Sequence, residues 1–463
     1  MITLTLQEIA DATGGILHDA PDPQVRVTGR SASDSREVGP GGMFVAVAGA
    51  RVDGHDFVDQ AVTTGATCVL ATRPVGVPAV VVPDVTAALG RLAQHVLTRT
   101  GAQVVALTGS AGKTSTKDLL AQVLAHHGDT VATPGSFNTE IGLPLTVMRA
   151  AESTRYLVLE MGARHLGDIA YLASLTPPQI GVVLNVGSAH VGEFGSREAI
   201  ATAKGELVES LPPADQGGVA VLNADDELVA AMATRTTASV VTYGTGESAD
   251  IRATGINVTA GRASFTLHTP HGTDPVALRL LGAHQVHNAL AVAAAVHALG
   301  MNTGRIAEAL SAAEPVSAGR LQILERADGV TIINDAFNAN SESMRAGLET
   351  LTSVAGDRRT VAVLGEMKEL GDTAKAAHAD IGRLVGELGI DVLVTVGTTD
   401  EMTALADAAR PASPLRIESA DDPDVLLPLL NRLLKSGDVV LVKASKSVGL
   451  EKFANILHVE VPA

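Results

Sequence analysis

The stretch from Gln103 to Leu124 limits the fold more than any other part of the chain. Gln103-Val-Val-Ala-Leu107 is a short apolar run rich in β-branched residues, which suits a buried strand. Thr108-Gly-Ser-Ala-Gly-Lys-Thr114 follows it. Leu119, Leu120, Val123 and Leu124 then fall at the spacing of a helix packed on one face. A strand, a tight glycine turn and a helix start gather backbone N–H groups and the positive helix end at one point, which makes an anion site. Lys113 is placed to reach the β- and γ-phosphates of ATP or GTP, and the Thr114 hydroxyl to ligate Mg²⁺. The strict pattern G-x-x-x-x-G-K-[ST] has a glycine where this chain has Leu107. The loop predicts a nucleotide and names no reaction.

The rest of the chain repeats the alternation. Met43 to Val47, Thr67 to Leu70 and Ala79 to Val82 read as strands, and Asp84 to Arg99 as a helix. Tyr156 to Glu160, Ile180 to Leu184 and Gly218 to Leu222 read as further strands, and Ala283 to Gly300 as a helix ended by Gly300. Residues 250 to 281 alternate and are more polar, as an antiparallel flap would be. Thr360 to Leu364, Asp391 to Val396 and Asp438 to Val442 predict a second nucleotide-fold-like sheet without a phosphate loop. With 463 residues, too many for one core, this predicts an α/β protein of three units. These are a small N-terminal α/β unit over 1–100, a central phosphate-loop parallel-sheet unit over 101–314, and a Rossmann-like unit over 315–463. Thr98 to Gly101 is the expected first linker and Glu314 to Gly319 the second.

Charge and cysteine content exclude several classes. Lys and Arg number 34 against 51 Asp and Glu, a net charge of −17 that repels nucleic acid and anionic lipid. The single Cys68 rules out an internal disulfide framework and suits a reducing compartment. The start, MITLTLQEIADATGG, lacks the basic region and apolar core of a signal peptide. The most apolar stretch, Ala289 to Gly300, is interrupted by His297 and too short to span a bilayer. A cytoplasmic protein is expected, acting as a monomer.

Three more positions invite chemistry. Glu160 ends a strand, so its carboxylate should stand at the carboxyl edge of the sheet, where open α/β sheets bind ligands and where it can complete the shell of the Mg²⁺ on Thr114. His190 lies in the glycine-rich loop Asn185 to Gly195, also directly after a strand, and is a ligand or acid–base candidate. Lys204 sits within an amphipathic helix, where a lysine is ordinarily solvated surface.

Together, Thr108-Gly-Ser-Ala-Gly-Lys-Thr114, Leu159-Glu-Met-Gly162, Asn185 with Ala189-His190, and Lys204-Gly-Glu206 resemble the Mur ligase superfamily. The loop pattern of that family is T-G-x-x-G-K-[ST], which Leu107 does not break. Asp34-Ser-Arg36, Asp53-Gly-His-Asp-Phe57, Pro134 to Pro144, Asp335-Ala-Phe-Asn338-Ala-Asn340 and Leu364 to Gly371 resemble the branch that adds D-alanyl-D-alanine. The chain departs from the family at Asn334-Asp335, often Asp-Asp, at Ser341, often Pro, and at Lys443-Ala-Ser-Lys446, where K-G-S-R is usual.

The resemblance implies an ATP-dependent ligase that joins D-alanyl-D-alanine to UDP-N-acetylmuramoyl-tripeptide through an acyl phosphate, in peptidoglycan precursor synthesis. It implies that Thr108, Gly109, Ser110, Ala111, Gly112, Lys113, Thr114 and Ser115 hold the ATP phosphates, and that Asn288, Arg320 and Asp335 contact adenine, phosphate and ribose. Two Mg²⁺ ions follow, one on Thr114 and Glu160, one on His190 and a carbamylated Lys204. Lys113, Glu160, His190 and Lys204 are then the catalytic set. Ser35, Arg36, Asn138 and Thr139 are implied for the UDP substrate, and Asn338, Ser445 and Lys446 for the dipeptide. ATP would lie between the second and third units, which implies closure on substrate binding. A folylpolyglutamate synthetase-like ligase shares the loop and the lysine but lacks the N-terminal Asp34 and Asp53 motifs. A phosphate-loop kinase or nucleotide switch is the remaining alternative.

Overall fold

A computed structural model describes residues 2–49, 52–188, 191–411 and 414–459. Its centre is a nine-stranded sheet. In spatial order the strands are Gly272–Leu281, Arg262–Thr269, Ile251–Thr259, Ser239–Gly244, Val219–Asn223, Ile180–Val183, Gln103–Thr108, Tyr156–Glu160 and Thr130–Ala132. From Ile251–Thr259 to Thr130–Ala132 every pairing is parallel. Strands of that kind are covered on both faces, which explains their near-continuous apolar runs. Along Gln103–Thr108, Val104 and Ala106 enter one core, while Val105 and Leu107 enter the other with the Lys113–Ala125 and Gln285–Ala298 helices. The expected flap is present. Ile251–Thr259, Arg262–Thr269 and Gly272–Leu281 pair antiparallel, and the first turn uses Ala260 and Gly261, both at positive φ.

The first unit carries a four-stranded sheet, ordered Ile16–His18, Ala79–Val81, Cys68–Ala71, Met43–Val45. Cys68 is buried in it, and burial pushes its thiol up to about 12. The sequence-based linker at Thr98 to Gly101 is not a loop. The Val85–Thr100 helix runs through it to a cap at Gly101 (φ 63), and the central sheet begins at Gln103. Because this helix packs on the central unit, a Cβ at Gly90 would stand 2.5 Å from Leu175 Cδ2. The apolar periodicity extends to the last turn, and Thr98 and Thr100 both return their hydroxyls to the helix backbone.

The third sheet has six strands, ordered Gln322–Glu325, Thr331–Asn334, Val439–Lys443, Thr360–Gly365, Val392–Val396, Arg416–Ala420, parallel except for the first. It meets the central unit across a seam. Ser317 donates to Asp118 across it, next to Glu314 at the end of the central unit, which exchanges bonds with Gln122. Farther along, Gly192 N–H donates to Glu369 O, and a Cβ on Gly192 would stand 2.7 Å from Gly371 N. No helix among the described residues is long and apolar enough to cross a membrane.

Candidate active site

The central sheet reverses its order of growth at Gln103–Thr108. Tyr156–Glu160 lies on one side of it and Ile180–Val183 on the other. Ligands of open α/β sheets bind at such a switch point, beyond the carboxyl ends of the strands. Asn185, two residues past the Ile180–Val183 strand, clamps the phosphate loop there. Its carbonyl accepts from Ser110 N–H (3.1 Å), its Oδ1 from Ala111 N–H (2.8 Å), and its Nδ2 donates to Ala111 O (3.1 Å). Gly112 has φ +80, and a Cβ there would lie 2.7 Å from Asn288 Oδ1. Glycine is required at that position on both counts.

The loop's polar groups are arranged around space. Lys113 Nζ donates to Gly109 O at 2.6 Å; burial pulls its pKa down, while the Glu160 carboxylate opposes that. Thr114 Oγ1 donates to Glu160 Oε2 (2.9 Å), and Asn138 Nδ2 donates to Glu160 Oε1 (2.8 Å). Thr108 Oγ1, Ser110 Oγ and Arg320 Nε are buried without a hydrogen-bond partner among the described residues. Buried polar atoms gathered around one loop can be satisfied by a bound ligand.

Two cavities meet on this loop. One, of about 900 Å³, is lined by Lys113, Thr114, Asn138, Thr139, Glu160, Lys204, Arg320, Asn338, Ser445 and Lys446 among others. The other, of about 620 Å³, is lined by Gly112, Thr114, Ser115, Asn288, Arg320 and Asp335 among others. Most of the residues expected from sequence therefore converge. Arg320 is no solvated linker residue: it reaches from the third unit, stacks over Phe337 (4.2 Å) and donates to Thr114 Oγ1 (3.3 Å). Lys446 Nζ lies over the same ring, 4.8 Å from its centre. Ser445 Oγ accepts from Lys368 N–H at 2.9 Å.

Lys204, on the Arg197–Glu209 helix, is buried with no hydrogen bond or ion pair to the described residues. Burial, helped by the nearby Lys113 charge, holds its pKa well below the ordinary lysine value. Glu206, two residues on, faces elsewhere and accepts from Gly167 and Ala170 N–H at the start of the Asp168–Leu175 helix. Asn288 is buried one turn into its helix, bonded to Gln285, so it is no helix cap. His190 lies outside the described residues.

Ser35 and Arg36 stand apart from both cavities. Ser35 donates to Gln60, and Arg36 holds Asp34 at 2.6 Å, drawing the Asp34 carboxyl down to about 2. Sequence reasoning assigned no role to Lys443 or Asn185. Lys443 Nζ, buried, pairs with Asp335 Oδ2 (2.6 Å) and donates to Asn338 O (3.0 Å). Its place as the last residue of a strand was the available signal.

Family descriptions match along the chain: the Mur ligase family catalytic domain over 32–97, the Mur ligase middle domain over 107–296, and the Mur ligase glutamate ligase domain over 319–446. The UDP-N-acetylmuramoyl-tripeptide--D-alanyl-D-alanine ligase of Mycobacterium tuberculosis is 47% identical over 99% of this chain and 98% of its own. This chain belongs to the Mur ligase family. The Escherichia coli protein of the same name is 36% identical, covering 99% of both chains. Among solved structures, MurF from Acinetobacter baumannii superposes on this Mur ligase with a TM-score of 0.88 at 33% identity, covering 99% of this chain and all of that one. The MurF ligase from Thermotoga maritima, in complex with ADP, gives 0.79 at 31% identity, covering 93% and 97%. A folylpolyglutamate synthase from Mycobacterium tuberculosis, at 18% identity and a TM-score of 0.62, shares the fold alone.

Proposed function

We propose that this Mur ligase joins D-alanyl-D-alanine to UDP-N-acetylmuramoyl-tripeptide at the expense of ATP, in the cytoplasm and as a monomer. The observation that carries the reading is the convergence of Lys113, Glu160, Lys204 and Arg320 with Asn338, Ser445 and Lys446 on one cleft.

The chemistry explains the residue types. A free carboxylate resists attack by an amine. Transfer of the γ-phosphoryl group of ATP to the tripeptide carboxylate gives an acyl phosphate and ADP. The neutral dipeptide amine then attacks the carbonyl carbon, and the C–O bond to phosphate breaks. Negative charge builds in both steps, and preorganised cations and N–H donors stabilise it. Lys113 and the loop N–H groups take the β- and γ-phosphates, with Thr108, Ser110 and Ser115 hydroxyls beside them. Arg320 adds charge from the third unit. Asn288 meets the base, and Asp335, held by Lys443, meets the ribose. Lys446 receives the dipeptide carboxylate beside Ser445 and Asn338, while Asn138 and Thr139 meet the UDP substrate, with Ser35 and Arg36 at its nucleotide end.

Magnesium fits the donors present. The Thr114 hydroxyl and the Glu160 carboxylate are hard oxygen ligands, and Asn138 fixes the second Glu160 oxygen. No group of three His, Cys, Asp or Glu side chains among the described residues forms a cage. That suits an ion held by one carboxylate, waters and substrate phosphates. When bound, Mg²⁺ supplies neutralisation of the phosphate oxygens as charge shifts. A second ion would rest on His190 and Lys204. Lys204 fits carbamylation because CO₂ needs a neutral amine, and burial favours that form. The amine nitrogen bonds to the CO₂ carbon and loses a proton, leaving an anion with two oxygens.

The test is phosphate release by the full chain with ATP, Mg²⁺ and UDP-N-acetylmuramoyl-tripeptide, with and without D-alanyl-D-alanine. Sustained release only with both co-substrates is expected. Release indifferent to the dipeptide overturns the reading.

A further inference from the structure

The strand-to-helix turn of the third unit carries more than Asp335 and Asn338. Two residues into the next helix, Ser341–Ala355, Glu342 reaches across the seam to the central unit. Its Oε1 accepts from Ser188 N–H at 2.7 Å, and its Oε2 accepts from the Ser188 hydroxyl at 3.2 Å. Gly187 lets it in: a Cβ there would lie 2.7 Å from Glu342 Oε1. The helix start that presents Glu342 is itself fixed by a reciprocal Asn340–Ser343 cap.

Before Ser188, Asn185 and Val186 are both tied down. Asn185 grips Ser110 and Ala111 of the phosphate loop. Val186 N–H donates to Asp226 Oδ2 (2.8 Å), and Val186 O accepts from Arg197 Nη2 (2.8 Å). Those partners all belong to the central unit. Glu342 is the anchor from the third. A continuous bonded path therefore runs from Glu342 through residues 188 to 185 into the loop that cradles the phosphates. Carboxylate-to-N–H bonds are charge-assisted and stronger than neutral ones.

We propose that Glu342 is a positioning residue that clasps the third unit over the nucleotide crevice and, through Ser188 and Asn185, sets the phosphate loop in its reactive geometry. The proposal rests on the ligase reading for its kinetic arm but not for its structural one. Glu342 lines the cavity of about 620 Å³ but bonds to Ser188 rather than to Lys113, Thr114 or Glu160, so it acts through the backbone it holds.

Three variants of the full chain test it. Glu342→Ala should lower kcat about tenfold, the size of one lost charge-assisted bond, while leaving the KM for ATP within about twofold. Glu342→Gln keeps a carbonyl oxygen for Ser188 N–H and should return kcat to within about threefold of wild type. Glu349→Ala, on the same helix, is the control. In solution scattering with ADP and Mg²⁺ added, Glu342→Ala should have a larger radius of gyration than wild type. A kcat for Glu342→Ala within twofold of wild type, an equal loss in Glu342→Gln, or a loss that tracks a fallen thermal midpoint each overturns the clasp. Wild-type protein that releases no phosphate sinks the ligase reading instead, and the scattering comparison still decides on Glu342: equal radii overturn it.

Discussion

The central and third sheets share an architecture of parallel strands between helices, yet they treat the lysine at the crevice differently. Lys113, at the helix start of the central unit, is half-buried against one uncharged partner, Gly109 O. Lys443 of the third sheet is buried against a carboxylate, Asp335, and a carbonyl, Asn338 O. The first arrangement leaves a cation and several backbone N–H groups for an outside anion. The second satisfies its cation internally and uses it to fix Asp335 and the turn that follows. The same side chain serves as a binding group in one sheet and as a strut in the other.

Removing each lysine should separate these roles. Lys113→Ala is expected to reduce kcat at least about 1000-fold, roughly 4 kcal/mol of lost charge stabilisation, with the thermal midpoint almost unchanged. A melting transition that collapses with the activity would make Lys113 a strut too, and would break the contrast. Lys443→Ala strands the buried Asp335 carboxylate and should cost about 3 kcal/mol of stability, read as the urea midpoint. If its stability holds and only the KM for ATP rises, Lys443 is a binding group after all.

Lys204 extends the comparison to a lysine with no hydrogen bond or ion pair among the described residues. Lys204→Ala should lose about 100-fold in kcat, with partial recovery on adding acetate, whose oxygens would stand in for those of the proposed carbamate. Its burial lowers the pKa, so the ammonium form gains ground as pH falls, and the amine available to CO₂ declines. An acid limb in the pH–rate profile of wild type should therefore disappear in the acetate-rescued variant. A fully active Lys204→Arg enzyme would refute the role.

The smallest effect expected concerns His284, at the wall shared by the two sheets. Burial drives its pKa down to about 4, with Asp335 opposing. Between that value and the unfolded one of about 6.5, the unfolded chain holds a proton that the folded chain lacks. Stability contributed here is present above about pH 6.5 and is lost as pH falls towards 4. A decline of about 2 kcal/mol between pH 7 and 5 is expected, and His284→Asn should flatten it. An identical pH slope in the variant would place the acid sensitivity elsewhere.

What sequence revealed and what it missed divide along chain distance. The phosphate loop, Glu160 at its strand end and the three-stranded flap were legible because each is written in contiguous residues with a fixed period. The buried position of Lys204 was not legible from its helix, since only packing decides which face of Arg197–Glu209 meets the cleft. The Lys443–Asp335 pair joins residues 108 apart, and no local pattern marks it. Attention to Lys446 in the same tetrad drew the dipeptide assignment past Lys443. The Thr98 to Gly101 linker failed for a related reason: threonine and glycine read as a loop, yet both threonines satisfy their hydroxyls on the helix itself.

The contact between Gly192 and Gly371 has a consequence for motion. Here the two units touch through bare main chain, with a would-be Cβ on Gly371 only 2.9 Å from Gly192 Cα. Glycine gives up no rotamers when it is covered. This stretch of the seam can therefore form and part without the ordering cost that long side chains carry, leaving the directional bonds nearby to choose between states. Any larger residue at either position would act as a wedge.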